Sequence, residues 1–188
     1  MRTIATVLTL GIANVVFAAG PTAPSGWILA GDKPTEYSVT LDHVSPHGGK
    51  YCSVLRASVP KPTGFGTLMQ TFSAATYRGK RLRLTAWVRG QDIAGWAGLW
   101  MRVDGADGKM LAFDNMGDRP IKGTTEWTSY SVTLDVGDSA QAIAFGILLY
   151  GAGSASVDDF SFEVVRSDVP TTASPQLPAA PRNLDFEQ

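Results

Sequence analysis

Large aromatic side chains and arginines recur at alternate positions of three strand-like segments, 81–89, 95–104 and 142–150. Successive side chains of a β-strand point to opposite faces, so each segment has an aliphatic side, which we expect in the core, and a second side. The second sides, which we expect on one open sheet face, carry Arg83, Trp87, Arg89, Trp96, Trp100, Arg102 and Tyr150. Such a face is typical of a binding surface, although a second, minor core under a covering loop would show the same pattern.

The segment FDNMGDRPIKG (113–123) is longer and more polar than the other predicted turns. A polar loop over a sheet face favours a ligand lid; the alternative is a self-contained turn in which Asp118 pairs with Arg119 or Lys122. Aromatic rings stack on the apolar faces of sugars, and guanidinium groups bind carboxylates such as those of uronic acids. The candidate ligand-binding residues are Trp87, Arg89, Trp96, Trp100, Arg102, Asp114, Asn115, Arg119 and Tyr150.

Catalytic signatures are scarce in the sequence. His43 and His47 are the only histidines, and no nucleophile with a matching base and acid stands out. The metalloprotease motif HExxH, the redox motif CxxC and phosphate-binding glycine loops are also missing from the sequence. We therefore predict a protein that is not an enzyme and has no organic cofactor.

Composition and charge narrow the possible partners. The chain has 188 residues, a formal net charge of −1 and no basic tract. Electrostatic attraction to nucleic acid is therefore not expected. Cys52 is the single cysteine, so no internal disulfide can form, and its apolar neighbours predict a small buried core residue.

Residues 1–19 have the pattern of a secretory signal peptide: one basic residue, an apolar run from Ile4 to Phe17, then small residues. This predicts a periplasmic or secreted protein that leaves the membrane after cleavage. A membrane anchor is the weaker alternative, because the run is short for a bilayer span and is interrupted by Thr and Asn.

Strand signals dominate residues 20–165, where nine segments rich in β-branched and apolar residues are separated by turn residues. This pattern predicts an all-β protein with an antiparallel sandwich, jelly roll or barrel. A Pro-rich linker is predicted at 166–182, and the strand-like hexapeptide NLDFEQ follows at 183–188.

The motifs GW (26–27), HGGKYCSVLRA (47–57), TLMQTFSA with YRGKRLRLTAWVRG (67–90), TEWTSYSVTLDV (125–136) and ASVDDFSFEVV (155–165) occur in this order. The ordered set resembles the galactose-binding-like jelly rolls, especially carbohydrate-binding modules attached to xylanases and glucanases. A second block, GLWMRVDGADGKMLAFDNMGDRPIKGTTEW (98–127), resembles an uncharacterised bacterial exported-domain family, some of whose members are labelled regulators.

One motif of the resembled jelly rolls is displaced. Their opening strand, N-x-x-F-E, is missing before Gly26 and stands instead at 183–187. The resemblance therefore implies that 183–188 completes the sandwich, either in its own sheet or as a strand swapped into a neighbouring copy in a homodimer. The third alternative is that the hexapeptide begins a second module.

The same resemblance implies a structural Ca²⁺. Its ligands would be Glu187, Asp158 or Asp159, and backbone carbonyls near Gly48–Lys50, since calcium prefers carboxylate and carbonyl oxygens. The alternative is that Glu187 is a solvated terminal charge and Asp158 caps a turn.

Together these features predict an exported, non-catalytic domain that recognises a carbohydrate or cell-envelope glycan through its Trp/Arg face. A protein-interaction or structural module that uses the same face is the alternative, and a polysaccharide hydrolase or lyase is the third hypothesis.

Overall fold

A computed structural model describes residues 23–173. These residues form eleven strands and three single 3₁₀ turns, and this part of the chain contains no α-helix. The strands are β1 (Ile28–Gly31), β2 (Tyr37–Asp42), β3 (Cys52–Ala57), β4 (Phe65–Ser73), β5 (Lys80–Gln91), β6 (Ile93–Asp104), β7 (Met110–Asp114), β8 (Ile121–Gly123), β9 (Thr128–Val136), β10 (Ala142–Tyr150) and β11 (Ser154–Val165). The 3₁₀ turns cover Pro34–Glu36, Ala75–Tyr77 and Ala106–Gly108.

Two antiparallel sheets face each other as a jelly-roll sandwich, which confirms the predicted fold class. The six-stranded sheet has the order β1-β4-β10-β6-β7, with β8 also paired to β6. The five-stranded sheet has the order β2-β3-β11-β5-β9. The nine predicted strands are present, and the short strands β1 and β8 are additional.

The core lies between the sheets and contains the aliphatic sides of the long strands. Leu82 and Leu84 of β5, Leu99 of β6 and Ile143 and Ile147 of β10 are all fully buried. The alternation of side chains therefore identified the core-facing positions correctly. Cys52 is also buried, as predicted, and burial raises the pKa of its thiol.

The first part of the predicted linker packs on the sandwich. Thr172 N–H donates to the carbonyl of Thr133 in β9 at 2.9 Å, and the Thr172 Oγ1 accepts from Thr133 N–H at 2.8 Å. Arg81 donates to the carbonyl of Ser167 at 2.6 Å. Residues 166–173 thus cover part of the free edge of β9, which reduces its exposure to strand pairing with other chains.

Three predictions lie outside the described residues: the signal peptide at 1–19, the rest of the linker, and the strand at 183–188. Completion of the sandwich by 183–188 and the strand-swapped dimer both depend on that last segment. Within residues 23–173, no helix is long and apolar enough to cross a membrane.

Candidate functional site

A cleft of about 530 Å³ lies on the outer face of the six-stranded sheet. Three strands form its floor, because the register aligns their outward side chains in rungs. One rung joins Phe65, Tyr150 and Trp96, and another places Gly146 between Met69 and Trp100. The cleft is lined by Ala30, Gly31, Phe65, Thr67, Met69, Trp96, Trp100, Arg102, Phe113, Asn115, Leu148 and Tyr150.

Trp100 forms the middle of the floor and is held by a chain of hydrogen bonds. Its indole Nε1–H donates to the Thr67 hydroxyl at 2.8 Å, and that hydroxyl donates to the carbonyl of Ile147 at 2.9 Å. Trp100 and Thr67 are both buried. The polar atoms of the floor are therefore already paired, and the floor presents mainly carbon to a ligand.

One wall of the cleft is the chain that leaves β7. A Cβ atom at position 98 would collide with the backbone oxygen of Asn115, so only glycine lets this segment lie directly on the sheet. Phe113 and Asn115 line the cleft from this wall, while Asp114 between them points the other way. Phe113 is 37% exposed to solvent, and Tyr150 on the rim is 45% exposed.

Arg102 lies at the end of the floor farthest from Trp96 along β6. Its Nε donates to Asp104 Oδ2 at 3.0 Å, and the Asp104 side chain is only 12% exposed. Within residues 23–173, the terminal guanidinium nitrogens of Arg102 have no hydrogen-bond acceptor. The side chain is 44% exposed, so these nitrogens are available to a molecule in the cleft.

Asp114 and Arg119 form a salt bridge behind the wall rather than a surface inside the cleft. The Asp114 carboxylate accepts from Met116 N–H at 2.8 Å and from Arg119 Nη2 at 2.6 Å, and its side chain is 5% exposed. Arg119 also donates to Asp118 at 2.8 Å and to the Ser131 carbonyl at 3.3 Å. Burial alone would lower the pKa of Arg119, but hydrogen bonds to Asp114 and Asp118 raise it overall. These contacts fit the self-contained turn better than a lid.

The expectation that all the aromatic residues share one sheet face is wrong. Trp87 and Arg89 lie on β5 in the five-stranded sheet, whereas Trp96, Trp100, Arg102 and Tyr150 lie on the outer face of the six-stranded sheet. Alternation identifies which side chains face away from the core, but it does not say which sheet a strand joins. A tight turn with Asp92 at φ 53° carries the chain from β5 to β6 and thus from one sheet to the other.

On the five-stranded sheet, Trp87 and Arg89 are covered by neighbouring side chains. The His47 ring stacks on Trp87 with centroids 3.9 Å apart, and the Arg89 guanidinium lies 5.0 Å from the centroid of Trp127. Trp127 is a partly exposed member of this surface cluster. We call Trp87, Arg89, His47 and Trp127 the outer cluster.

Beside the outer cluster lie the carboxylates predicted to bind calcium. Asp158 Oδ2 accepts from the backbone N–H groups of His47 and Gly48 at 3.0 and 3.2 Å, and Asp159 Oδ2 lies 2.8 Å from His47 Nδ1. Two amide hydrogens therefore already bind this carboxylate oxygen, and they would repel a cation placed beside it. In residues 23–173 no three His, Cys, Asp or Glu side chains form a metal-binding group. Glu187 lies outside the described residues, so the calcium site stays a prediction.

Several cleft residues were not identified from the sequence, namely Phe65, Thr67, Met69, Phe113 and Leu148. The alternation in β4 places Phe65, Thr67 and Met69 on one side and the core residue Leu68 on the other. This signal was present in the sequence. The neighbours of β4 in the sheet, β1 and β10, are distant along the chain and were not predictable from it.

No family model matches this chain. Over 167 residues, 87% of the chain, it is 40% identical to a Bacillus subtilis (strain 168) protein named "Uncharacterized HTH-type transcriptional regulator YbfP". The chain spans 57% of the length of that protein.

Solved structures with a similar fold include carbohydrate-binding modules. The C-terminal family 22 carbohydrate-binding module of Clostridium thermocellum Xyn10B has a TM-score of 0.52 and 12% identity, over 75% of this chain and 86% of the module. The enzymatically active domain of the bacteriophage CBA120 tailspike protein 4 has a TM-score of 0.60 and 17% identity, over 75% of this chain and 20% of that protein. At such low identity the likeness concerns the fold alone.

The predicted function, an exported glycan-recognition domain, is contradicted by the relative. A protein that shares 40% identity over most of this chain is named as a transcriptional regulator. The jelly-roll motifs correctly indicated the fold, but one fold supports many functions, so the inference from fold to glycan binding failed.

Proposed function

We propose that this chain is a ligand-sensing module of the type found in bacterial transcriptional regulators, with the cleft as its ligand site. The observation that carries the proposal is the similarity to a longer protein named as a helix-turn-helix regulator, of which this chain spans 57%. A helix-turn-helix requires two α-helices, and residues 23–173 contain none. What the two proteins share is therefore chiefly the β-sandwich, and DNA contact belongs to another part of the relative.

The geometry of the cleft supports a ligand-binding role. A concave, mainly apolar cavity with a few polar groups at its ends is the usual form of a small-molecule site. Its floor is pre-organised, because Trp100 is fixed by Thr67. A rigid floor lowers the entropy lost when a ligand binds.

We extend the proposal to a non-catalytic role. Of the described residues that line the cleft, none is a carboxylate, histidine or cysteine that could serve as acid, base or nucleophile. Turnover of a bound molecule would overturn this part of the proposal.

A thermal-shift screen of the chain against small organic molecules tests the proposal. Hits are then titrated by tryptophan fluorescence with the native chain, Trp96→Ala and Trp127→Ala. Loss of the stacking ring on the rim should weaken binding about tenfold in Trp96→Ala. Trp127→Ala removes a partly exposed tryptophan of the opposite sheet and should leave the affinity unchanged. If no hit is sensitive to Trp96→Ala, the cleft is not the ligand site.

A further inference from the structure

We infer that the cleft binds an elongated apolar molecule with a terminal carboxylate, and that the guanidinium of Arg102 binds that carboxylate. The inference rests on the proposed function and adds the chemical class of the ligand.

Among the described residues, those in the middle of the cleft offer a ligand no free hydrogen-bond donor. Trp100 Nε1–H is used by Thr67, and the Thr67 hydroxyl hydrogen is used by the carbonyl of Ile147. Met69 and Leu148 flank these residues on the floor. A ligand that lies on this floor must therefore present an apolar surface, since a hydroxyl or amide placed there would lose its bonds to water.

Arg102 provides a charged donor at one end of the floor. Asp104 accepts a hydrogen bond only from the Nε of the guanidinium, at 3.0 Å, and this bond holds the side chain in place. The two terminal nitrogens, which have no acceptor within residues 23–173, form the planar fork that binds a carboxylate with two parallel hydrogen bonds.

Asn115 adds a second donor. Its Oδ1 accepts from Gly117 N–H at 3.0 Å, and both hydrogens of its amide NH₂ group have no acceptor within residues 23–173. Within residues 23–173, no aspartate or glutamate lines the cleft to accept hydrogens from a ligand. Sugars bring many hydroxyl hydrogens that need acceptors, whereas a carboxylate only accepts. The donors of this cleft therefore favour a carboxylate over a polyol.

The positions of Trp96 and Arg102 give the ligand an elongated shape. They lie six residues apart on β6, which is about 20 Å between Cα atoms along a strand. Tyr150 and Phe65 stand beside Trp96 on the same rung. An aryl or alkyl group would lie at this aromatic end, with the carboxylate at Arg102.

A pair of probes with one carbon skeleton and a length of about 20 Å tests the inference: 12-phenyldodecanoate and 12-phenyldodecan-1-ol, titrated into the full chain by tryptophan fluorescence. We expect the acid to bind at least tenfold more tightly than the alcohol, as a charge-assisted pair contributes more than a neutral hydrogen bond. Arg102→Gln should abolish this preference, and Arg102→Lys, which keeps a cation beside Asp104, should retain part of it.

Arg83→Gln is the matched control, because Arg83 lies on the other sheet and pairs with the exposed Glu163 at 3.3 Å; it should keep the full preference. Equal affinities for acid and alcohol, or a preference that survives Arg102→Gln, would overturn the inference and leave the cleft as a site. Binding of xylohexaose instead of the acid, weakened by Trp96→Ala, would have the same effect. If no molecule of any class binds in a Trp96-dependent way, the proposed function fails as well.

Discussion

The outer faces of the two sheets carry the same kinds of side chain in two different states. On the five-stranded sheet, Trp87 is covered by His47 and Trp127 lies against Arg89. On the six-stranded sheet, Trp96 and Trp100 take part in no ring pair within residues 23–173. In the same part of the chain, the terminal nitrogens of Arg102 have no hydrogen-bond acceptor. Tryptophan and arginine on a sheet face therefore indicate a ligand site only where they line a cleft, and not where side chains of a loop pack on them as His47 does on Trp87.

The difference comes from what crosses each face. The 43–50 loop lies over the five-stranded sheet because Asp158 binds the N–H groups of His47 and Gly48. On the six-stranded sheet, Gly98 admits the segment after β7 at one side only, and Gly146 keeps the floor flat between Met69 and Trp100. The 43–50 loop therefore covers the tryptophan on its sheet, whereas the segment after β7 forms one wall of an open cleft.

The largest expected contrast is in stability. Trp100→Ala removes a buried ring and should cost about 3 to 5 kcal/mol of unfolding free energy. Trp127→Ala removes a partly exposed ring with one cation–π contact and should cost about 1 kcal/mol. Urea denaturation measures both losses of stability. Equal losses would contradict the distinction between the buried floor of the cleft and the partly exposed outer cluster.

The salt bridge behind the cleft wall should have the next largest effect. Arg119→Ala leaves the Asp114 carboxylate buried without its cation, which should cost about 3 kcal/mol. Asp118→Asn is the matched control, because it removes the exposed partner of the same arginine and should cost at most about 0.5 kcal/mol. If Asp114→Asn with Arg119→Gln is no more stable than Arg119→Ala alone, the buried charge is not the cause.

Thr67 gives a smaller effect within the floor. Thr67→Val keeps the shape but leaves the indole N–H of Trp100 unpaired, at a cost of about 1 to 3 kcal/mol. Thr71→Val, on the same side of β4 but exposed, should change stability little. Thermal unfolding of the two variants makes the comparison, and matching melting temperatures would show that Trp100 does not depend on this bond.

Acid sensitivity should be the smallest effect and belongs to the five-stranded sheet. A hydrogen bond from Arg81 lowers the pKa of Asp135 in the folded chain. A lowered folded pKa means that this pair stabilises the fold above the unfolded pKa of about 3.9 and that the contribution is lost as pH falls through the folded value. Asp135→Asn should therefore make the loss of stability below pH 4 shallower, which unfolding curves across pH will show.

The short-range features of this structure could be predicted from the sequence. Alternation identified Leu82, Leu99 and Ile147 as core and Trp96 and Trp100 as outward, because side-chain direction depends only on position along a strand. It also allowed the pairing of Asp118 with Arg119, which the structure contains at 2.8 Å. These are short-range relations.

The rest depended on long-range pairing. Trp87 and Trp96 are nine residues apart but face opposite sides of the molecule, since the turn at Asp92 moves the chain between sheets. Thr67 binds Trp100 from 33 residues away. The assignment of strands to sheets and the register that brings Thr67 to Trp100 are fixed by the folded core, and no local pattern encodes them.

The indole N–H signals of the five tryptophans provide the most direct test of the ligand site. A ¹⁵N-labelled chain, with signals assigned from single Trp→Phe variants, is titrated with 12-phenyldodecanoate. We predict shifts of the Trp96 and Trp100 signals, with those of Trp87 and Trp127 unchanged. Shifts at Trp87 or Trp127, or no shift at Trp96 and Trp100, would contradict the assignment of the cleft as the carboxylate-binding site.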